Sequence, residues 1–256
     1  MTHSPIIWWV RRDLRLADNP ALTYAVASGR PVIPLFIHDE LIEDLGAAPK
    51  WRFGKGLEVF GEGLANVGSK LILRRGKALD VIKAVVAQTG AEHVVWSRAY
   101  DPAAIARDTE VKSTLKDLGV EAESFAGHLL FEPWTVKTKV GGFYKVYSPM
   151  WRAVKDLPVA ECLKAPDAIR GPESWPASDD LADWNMGAAM HRGANVVSQY
   201  VCVGEADAEA RLIGFIDGAV DRYKEDRDFP SIEATSRLSE NLTYGEIAPR
   251  LSLIHI

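Results

Sequence analysis

Apolar residues in the first half of the chain fall in short unbroken runs, separated by longer stretches where they recur every three or four positions. The runs are 6–10 (IIWWV), 31–38, 70–73, 93–96 and 120–125. Continuous apolar segments of that length suit strands buried on both faces of a parallel sheet. Between the first two, Asn19 followed by Pro20 fits an N-cap and a first helical residue, opening a helix that runs to Ala27 and stops at Gly29. Residues 78–88 and 102–118 are predicted helices, closed by Gly90 and Gly119. Residues 51–67 carry a helical stripe too, but Gly54, Gly56, Gly61 and Gly63 interrupt it. Each costs about 1 kcal/mol relative to Ala, which weighs against that helix. Strands alternating with helices predict an α/β fold, a doubly wound parallel sheet of Rossmann-like form with helices on both faces.

After residue 125 the pattern changes. Gly141-Gly142, flanked by 136–140 and 143–147, gives a hairpin signal. From 156 to about 200 the chain collects Pro158, Pro166, Pro172 and Pro176 with little periodicity, as a linker draped on the surface does. Helical spacing resumes near Glu205 with Ala208, Leu212, Phe215, Ile216 and Ala219. Thr243 and Glu246 have capping-box spacing, yet Pro249 would then sit inside the helix, so Pro249 is read as a first helical residue. The expected organisation is an α/β domain over 1–135, a linker over 136–204 and the first part of an all-α domain over 205–256.

Composition narrows the functions. With 47% hydrophobic residues and a net charge of −5, the chain is globular and exerts no overall pull toward nucleic acid, although a local basic cleft is compatible with that charge. Cys162 and Cys202 are far apart with no Cys-x-x-Cys spacing, which indicates neither a disulfide scaffold nor a zinc site. The six histidines share no ligand spacing and no nucleophile motif is present, so no metal and no catalytic acid, base or nucleophile is expected. No Gly-x-Gly-x-x-Gly follows the first strand, so a dinucleotide is not expected at the sheet's crevice. The N-terminal apolar run is too short for a membrane span and lacks a charged leader, which predicts a cytoplasmic protein with no membrane contact. The eight tryptophans are read as core or interface residues.

The chemistry concentrates between Tyr223 and Arg250. Thr235, Ser236 and Ser239 supply three hydroxyls and Arg237 a guanidinium within five residues, a density of donors suited to phosphate oxygens. By composition alone an ordinary polar loop between helices reads the same way. The order of Tyr223, Arg227-Asp228-Phe229-Pro230, Thr235-Ser236-Arg237-Leu238-Ser239 and Gly245-Glu246-Ile247-Ala248-Pro249-Arg250 resembles the start of the FAD-binding helical domain of the DNA photolyase and cryptochrome family. The stretch WVRRDLRLADNPAL resembles the family's N-terminal signature, and Tyr144 to Pro149 its link out of the sheet domain. The resemblance implies that Tyr223, Thr235, Ser236, Arg237, Leu238 and Ser239 line FAD, and that Arg227 and Lys224 face damaged DNA. It implies a deoxyribodipyrimidine photolyase, a carbon–carbon lyase acting as a monomer on DNA that contains pyrimidine dimers. The enzyme would use reduced FAD and light to open the cyclobutane ring.

Two alternatives stay open. A cryptochrome that signals in blue light shares every motif quoted, and a stand-alone α/β nucleotide-binding module would need the sheet domain alone. In the family the sheet domain often helps hold an antenna chromophore, a reduced folate or a deazaflavin. The folate pattern carries an Asn-Glu pair where this chain has Ala103 and Ala104, which speaks against folate and leaves the antenna unidentified. The resemblance covers nearly all of the chain but about half of a usual member, and the closing LSLIHI resembles a translated adaptor. Lacking the flavin's other wall, residues 205–250 are expected to stay unprotected from exchange, and the 256-residue chain to be colourless and inactive.

Overall fold

The computed structural model describes residues 3–255, with side chains described through Leu253; Ile256, the end of the LSLIHI hexapeptide, lies outside them. Strand β1 (Ile6–Val10) is buried along its whole length, and so is β2 (Val32–His38). With β3 (Ile72–Arg75), β4 (His93–Ser97) and β5 (Glu121–Phe125) they form one parallel sheet in the order β3-β2-β1-β4-β5. Side chains alternate across a strand, so Ile6, Trp8 and Val10 enter one core while Ile7 and Trp9 enter the other. On the first face the core is completed from α1 (Pro20–Ala27) and α3 (Ala47–Asn66), by Leu22, Phe53, Leu57, Phe60 and Leu64. On the second it is completed from α4 (Ala78–Thr89) and α5 (Pro102–Asp117), by Ile82, Val85, Val111 and Leu115. A short α2 (Glu40–Glu43), capped by Asp39, follows β2. The edge strand β5 carries Glu121 and Glu123, charges that discourage further pairing.

Three expectations change. The glycine-rich segment is an unbroken 20-residue helix, α3. Gly56 is there because of what it touches: a Cβ would meet Leu14 Cδ1 at 2.8 Å and Glu246 Oε1 at 3.2 Å. Gly54 likewise faces Met186, whereas Gly61 and Gly63 have open space around them. The buried stripe of Trp51, Phe53, Leu57, Phe60 and Leu64 outweighs the propensity cost. The predicted hairpin reduces to a turn, closed by the Thr138 N–H donating to the Gly142 carbonyl at 2.7 Å; no strands flank it, and Tyr147–Val154 forms α6 instead. Of the tryptophans, Trp134 and Trp151 are exposed rather than packed.

Beyond α6 the chain returns across the sheet domain. The Val32 N–H donates to the Arg170 carbonyl, and the Ile169 and Asp179 N–H groups to the Val67 and Leu73 carbonyls, while Ile169, Trp184 and Met186 are buried in the first core. After α7 (Arg192–Val197) come α8 (Glu205–Gly218), α9 (Tyr223–Asp226), α10 (Ser239–Tyr244) and α11 (Pro249–His255). Pro249 is the first residue of α11, as read from sequence.

The sheet domain itself supplies a wall for this last group. Arg52 of α3 donates to both oxygens of Glu246, at 2.9 and 2.6 Å, and to Glu240 at 2.5 Å. The Glu205 carboxylate accepts the Leu16 and Ala17 N–H groups at 2.8 Å each, and Arg250 pairs with Asp18. Gly245 closes α10 at φ +68°, and a Cβ there would lie 1.8 Å from the Arg12 carbonyl oxygen. Both ends of residues 205–250 therefore have buried partners on the sheet domain, which removes the ground for expecting those ends unprotected, while 221–233 are almost wholly exposed. No described helix is long and apolar enough to cross a membrane.

Candidate functional site

The loop from Glu233 to Ser239 is braced from below. Leu238 is buried in an apolar cluster with Ala208 and Leu212 of α8 and with Ile247. From the same helix, Arg211 Nη1 donates to the Arg237 carbonyl at 3.0 Å and to Asn241 Oδ1 at 3.1 Å. Above that support Thr235, Arg237 and Ser239 are exposed and Ser236 is half-buried. Arg237 has φ +52°, a left-handed conformation that costs a non-glycine residue roughly 1–2 kcal/mol and persists where its surroundings impose it. Its guanidinium rests on Glu233 at 2.9 Å, an exposed i,i+4 pair.

Tyr223 opens α9, exposed over part of its ring and edge-on to Phe215 at 5.9 Å. The Arg227 guanidinium lies over that ring at 5.5 Å, so the structure brings together these two residues singled out in the sequence. Arg227 also approaches Asp228 at 3.8 Å, and Lys224 is exposed beside it.

A second site was not legible as such. A cavity of about 460 Å³ opens at the carboxyl ends of the strands, lined by residues that include Trp9, Arg11, Arg12, Asp39, Tyr100, Arg107 and His128, with Leu242 and Thr243 of α10 closing it. It lies where the sheet order reverses between β1 and β4, the place where open α/β sheets bind ligands, and its size suits a small molecule or cofactor. Arg11 and Arg107 both stand over the Trp9 ring, at 4.9 and 4.7 Å. Asp108 holds Arg11 through two bonds to Nη1, at 2.9 and 2.7 Å, and Asp39 holds Arg107 at 2.5 Å. Arg12 is exposed on the rim.

The electrostatics of this cavity follow from burial and crowded cations. Burial lowers the Arg11 pKa, opposed mainly by Asp108. His128 is held at about 4, by burial foremost and by Arg15, Arg11 and Arg12 against the pull of Asp13, so its ring is neutral at physiological pH. Burial pushes the Tyr100 phenol up, and its hydrogen bond to Glu132 at 2.6 Å pushes it further. Ala104 lines the cavity as a bare methyl, without the polar anchor of the folate pattern.

The sequence signal for this site was Arg11-Arg12-Asp13-Leu14-Arg15 directly after the first strand, which by itself reads as a solvated turn. In the structure Arg15 is instead a buried staple, donating to the carbonyls of Gly245, Asp18 and Gly127 at 3.0, 3.1 and 2.7 Å. Among the described residues no cluster of His, Cys, Asp and Glu is arranged to hold a metal ion. Cys162 and Cys202 are free and half-buried, with thiol pKa values raised by burial.

Comparison with known proteins shows the family of the chain. Residues 6–169 match the DNA photolyase family. The chain is 41% identical over 248 residues to a deoxyribodipyrimidine photo-lyase of Agrobacterium fabrum, covering 96% of this chain and 52% of that protein. It is 30% identical to cryptochrome-1 of Arabidopsis thaliana, covering 95% of this chain and 36% of that one. The crystal structure of a class III photolyase from Agrobacterium tumefaciens superposes with a TM-score of 0.96 at 39% identity, over all of this chain and 53% of that chain. The chain thus spans about half the length of the photo-lyase it matches.

Proposed function

Because this chain belongs to the DNA photolyase family, we propose that it serves the light-driven repair of cyclobutane pyrimidine dimers in DNA, as a deoxyribodipyrimidine photo-lyase dependent on reduced FAD. The identity of 41% to a photo-lyase, against 30% to a cryptochrome, favours repair over signalling. The observation that carries the reading is the loop of Thr235, Ser236, Arg237, Leu238 and Ser239, in which the donors of Thr235, Arg237 and Ser239 stand exposed and that of Ser236 half-buried on a braced backbone.

These residues fit a dinucleotide cofactor. The hydroxyls of Thr235, Ser236 and Ser239 are short donors for phosphate or ribityl oxygens, and Arg237 offers a planar fork. The exposed pair that Arg237 makes with Glu233 is worth roughly 0–1 kcal/mol, so a phosphate can displace it. Leu238 contributes through its backbone, since its side chain belongs to the apolar cluster. Tyr223 flanks the cofactor, while Arg227 and Lys224 extend toward DNA. What FAD supplies when bound is one electron, given to the dimer under light and returned once the ring has opened; the chain's own work is to hold, orient and exclude water.

In this reading the cavity beside Trp9 seats an antenna chromophore that carries negative charge, drawn by Arg12 on its rim and by the neighbouring Arg11 and Arg107. Residues 1–135 form the antenna domain, 136–204 the linker and 205–256 the start of the flavin domain, in a cytoplasmic monomer. Survival of ultraviolet-irradiated, photolyase-deficient bacteria tests the proposal. The gene that encodes this chain should restore survival in blue light and not in darkness; equal survival under both conditions overturns it.

A further inference from the structure

Trp9 forms part of the wall of the cavity at the carboxyl ends of the strands, yet its ring is held under two cations. The Arg11 guanidinium stands over it at 4.9 Å and that of Arg107, from α5, at 4.7 Å. One carboxylate fixes both: Asp108 accepts from Arg11 Nη1 at 2.9 and 2.7 Å and from Arg107 Nε and Nη2 at 3.1 and 2.9 Å. Asp39 holds Arg107 Nη1 as well. Behind the wall, Trp96 of β4 meets Trp9 edge-on at 5.5 Å, with Lys112 over its own ring at 5.4 Å. Trp8 is equally buried, but it packs edge-on against Phe60 on the opposite face of the sheet, and no cation stands over it among the described residues.

Packing alone does not call for this arrangement. A buried indole is satisfied by apolar neighbours, as Trp8 is, whereas Arg11 and Arg107 give up hydration to stand where they do. What a cation does to an indole is electronic. It is attracted to the negative face of the ring, and it opposes removal of an electron, because the product is a second positive charge close by in a medium of low dielectric. Indole is among the side chains most easily oxidised, and one that touches a light-excited aromatic group ordinarily quenches it. One electron passes from the indole to the excited group, leaving an indole radical cation and a radical anion of the chromophore. No bond breaks, and the excitation is lost when the electron returns.

We propose that Arg11 and Arg107 insulate Trp9, keeping the cavity wall from donating an electron to an excited, negatively charged aromatic group seated there. Lys112 does the same for Trp96, the neighbour to which a hole on Trp9 would otherwise move. These cations are positioning residues that act through the indoles, and Asp39 and Asp108 serve by fixing the guanidiniums. The proposal rests on the antenna reading of the cavity for its purpose alone; the protection of Trp9 belongs to the protein without any ligand.

The test is photo-oxidation by flavin mononucleotide (FMN), a soluble aromatic anion that takes an electron when excited, with the oxidised tryptophans located by peptide mass spectrometry. In the parent protein Trp9, although on the cavity wall, should react no faster than Trp8. In the electroneutral variant Arg107→Gln, Asp39→Asn, oxidation of Trp9 should rise at least about fivefold with Trp8 unchanged, because one of two full charges near the ring is gone. Arg107→Lys should stay within about twofold of the parent, since the cation is kept. Lysine is as slim beside the ring as glutamine, so a merely widened cavity would raise oxidation in both. Where FMN is bound, its fluorescence lifetime should shorten in the glutamine variant and recover when Trp9→Phe is added. Asp39→Asn keeps a side-chain acceptor for the start of α2, and all comparisons are made at matched folded fraction.

Preferential oxidation of Trp9 over Trp8 in the parent overturns the proposal without any variant. So does an equal rise in the glutamine and lysine variants, or a rise in neither. If FMN is retained in a manner that Arg12→Ala abolishes, while Trp9 behaves alike in parent and variants, the insulation fails alone. If Trp9 is protected as described and the cavity retains no anionic aromatic group, FMN included, the protection stands and the antenna reading falls.

Discussion

Replacing Glu246 by Gln tests whether one buried ion pair docks the helical segment onto the sheet domain. Glu246 is fully buried and accepts from Arg52 at 2.9 and 2.6 Å and from Asn241 at 2.7 Å. Arg52 is itself 4% exposed. Its pKa is raised because bonds to Glu246 and Glu240 together outweigh the opposing effect of burial. The amide keeps the shape and one acceptor but leaves Glu240, at 2.5 Å, as the only carboxylate on the guanidinium among the described residues. Removing one partner of a buried pair costs about 3–5 kcal/mol, and with Glu240 kept the loss falls at the lower end of that range. At this chain length that lowers the melting temperature by on the order of 10 °C. Replacing both residues, Arg52→Met with Glu246→Leu, should be much milder than the sum of the single changes, with a coupling of about 2 kcal/mol or more. Thermal and urea unfolding of the parent, Arg52→Met, Glu246→Leu and the double variant complete the cycle, with Glu246→Gln measured beside them. A loss below about 1 kcal/mol for Glu246→Gln, with additive single changes, would show that the segment is held by something else.

Gly245→Ala should destabilise by at least about 2 kcal/mol, since it combines a left-handed φ of +68° with a Cβ 1.8 Å from the Arg12 carbonyl oxygen; an unchanged urea midpoint contradicts that close approach. His128 titrates near 4 when folded and near 6.5 when unfolded, so the unfolded chain binds the extra proton between those values. Its contribution is complete above pH 6.5 and is lost as pH falls toward 4. For a half-buried ring the loss by pH 5 is about 1 kcal/mol after allowing for solvent screening, and His128→Asn should abolish that part of the pH dependence. Replacing Arg237 and Ser239 together by Ala should weaken FAD retention by roughly 1.5–3 kcal/mol while leaving the melting temperature unchanged, because both side chains are exposed; unaltered flavin content after purification refutes the assignment.

The sheet was readable because burial on both faces leaves unbroken apolar runs, as in IIWWV, and because Asn19-Pro20 announces a helix start with its own local chemistry. Helix α3 was harder, since the reason for Gly56 lies in Leu14 and in Glu246, which is almost the whole chain away. The docking of residues 205–250 was hidden for the same reason: Arg52 and Glu246 are 194 positions apart, and neither residue type predicts burial. Gly141-Gly142 did make a turn, but flanking residues such as Val140 have nothing to pack against, and a hairpin needs that as much as it needs its turn. The loop of Thr235 to Ser239 was legible as a donor cluster, whereas the cavity beside Trp9 is assembled by topology from β1, the α2 region and α5, without a glycine fingerprint to mark it.

The central claim is that donors on this loop hold the flavin that reverses pyrimidine dimers. The direct measurement is dimer reversal in an irradiated oligothymidylate, followed as recovery of base absorbance under blue light, using the protein as its gene encodes it and the Arg237→Ala, Ser239→Ala variant. The account predicts recovery that requires both light and bound FAD in the parent protein, and in the variant a loss that excess FAD rescues. Recovery in darkness, or equal recovery in parent and variant at limiting FAD, would contradict it.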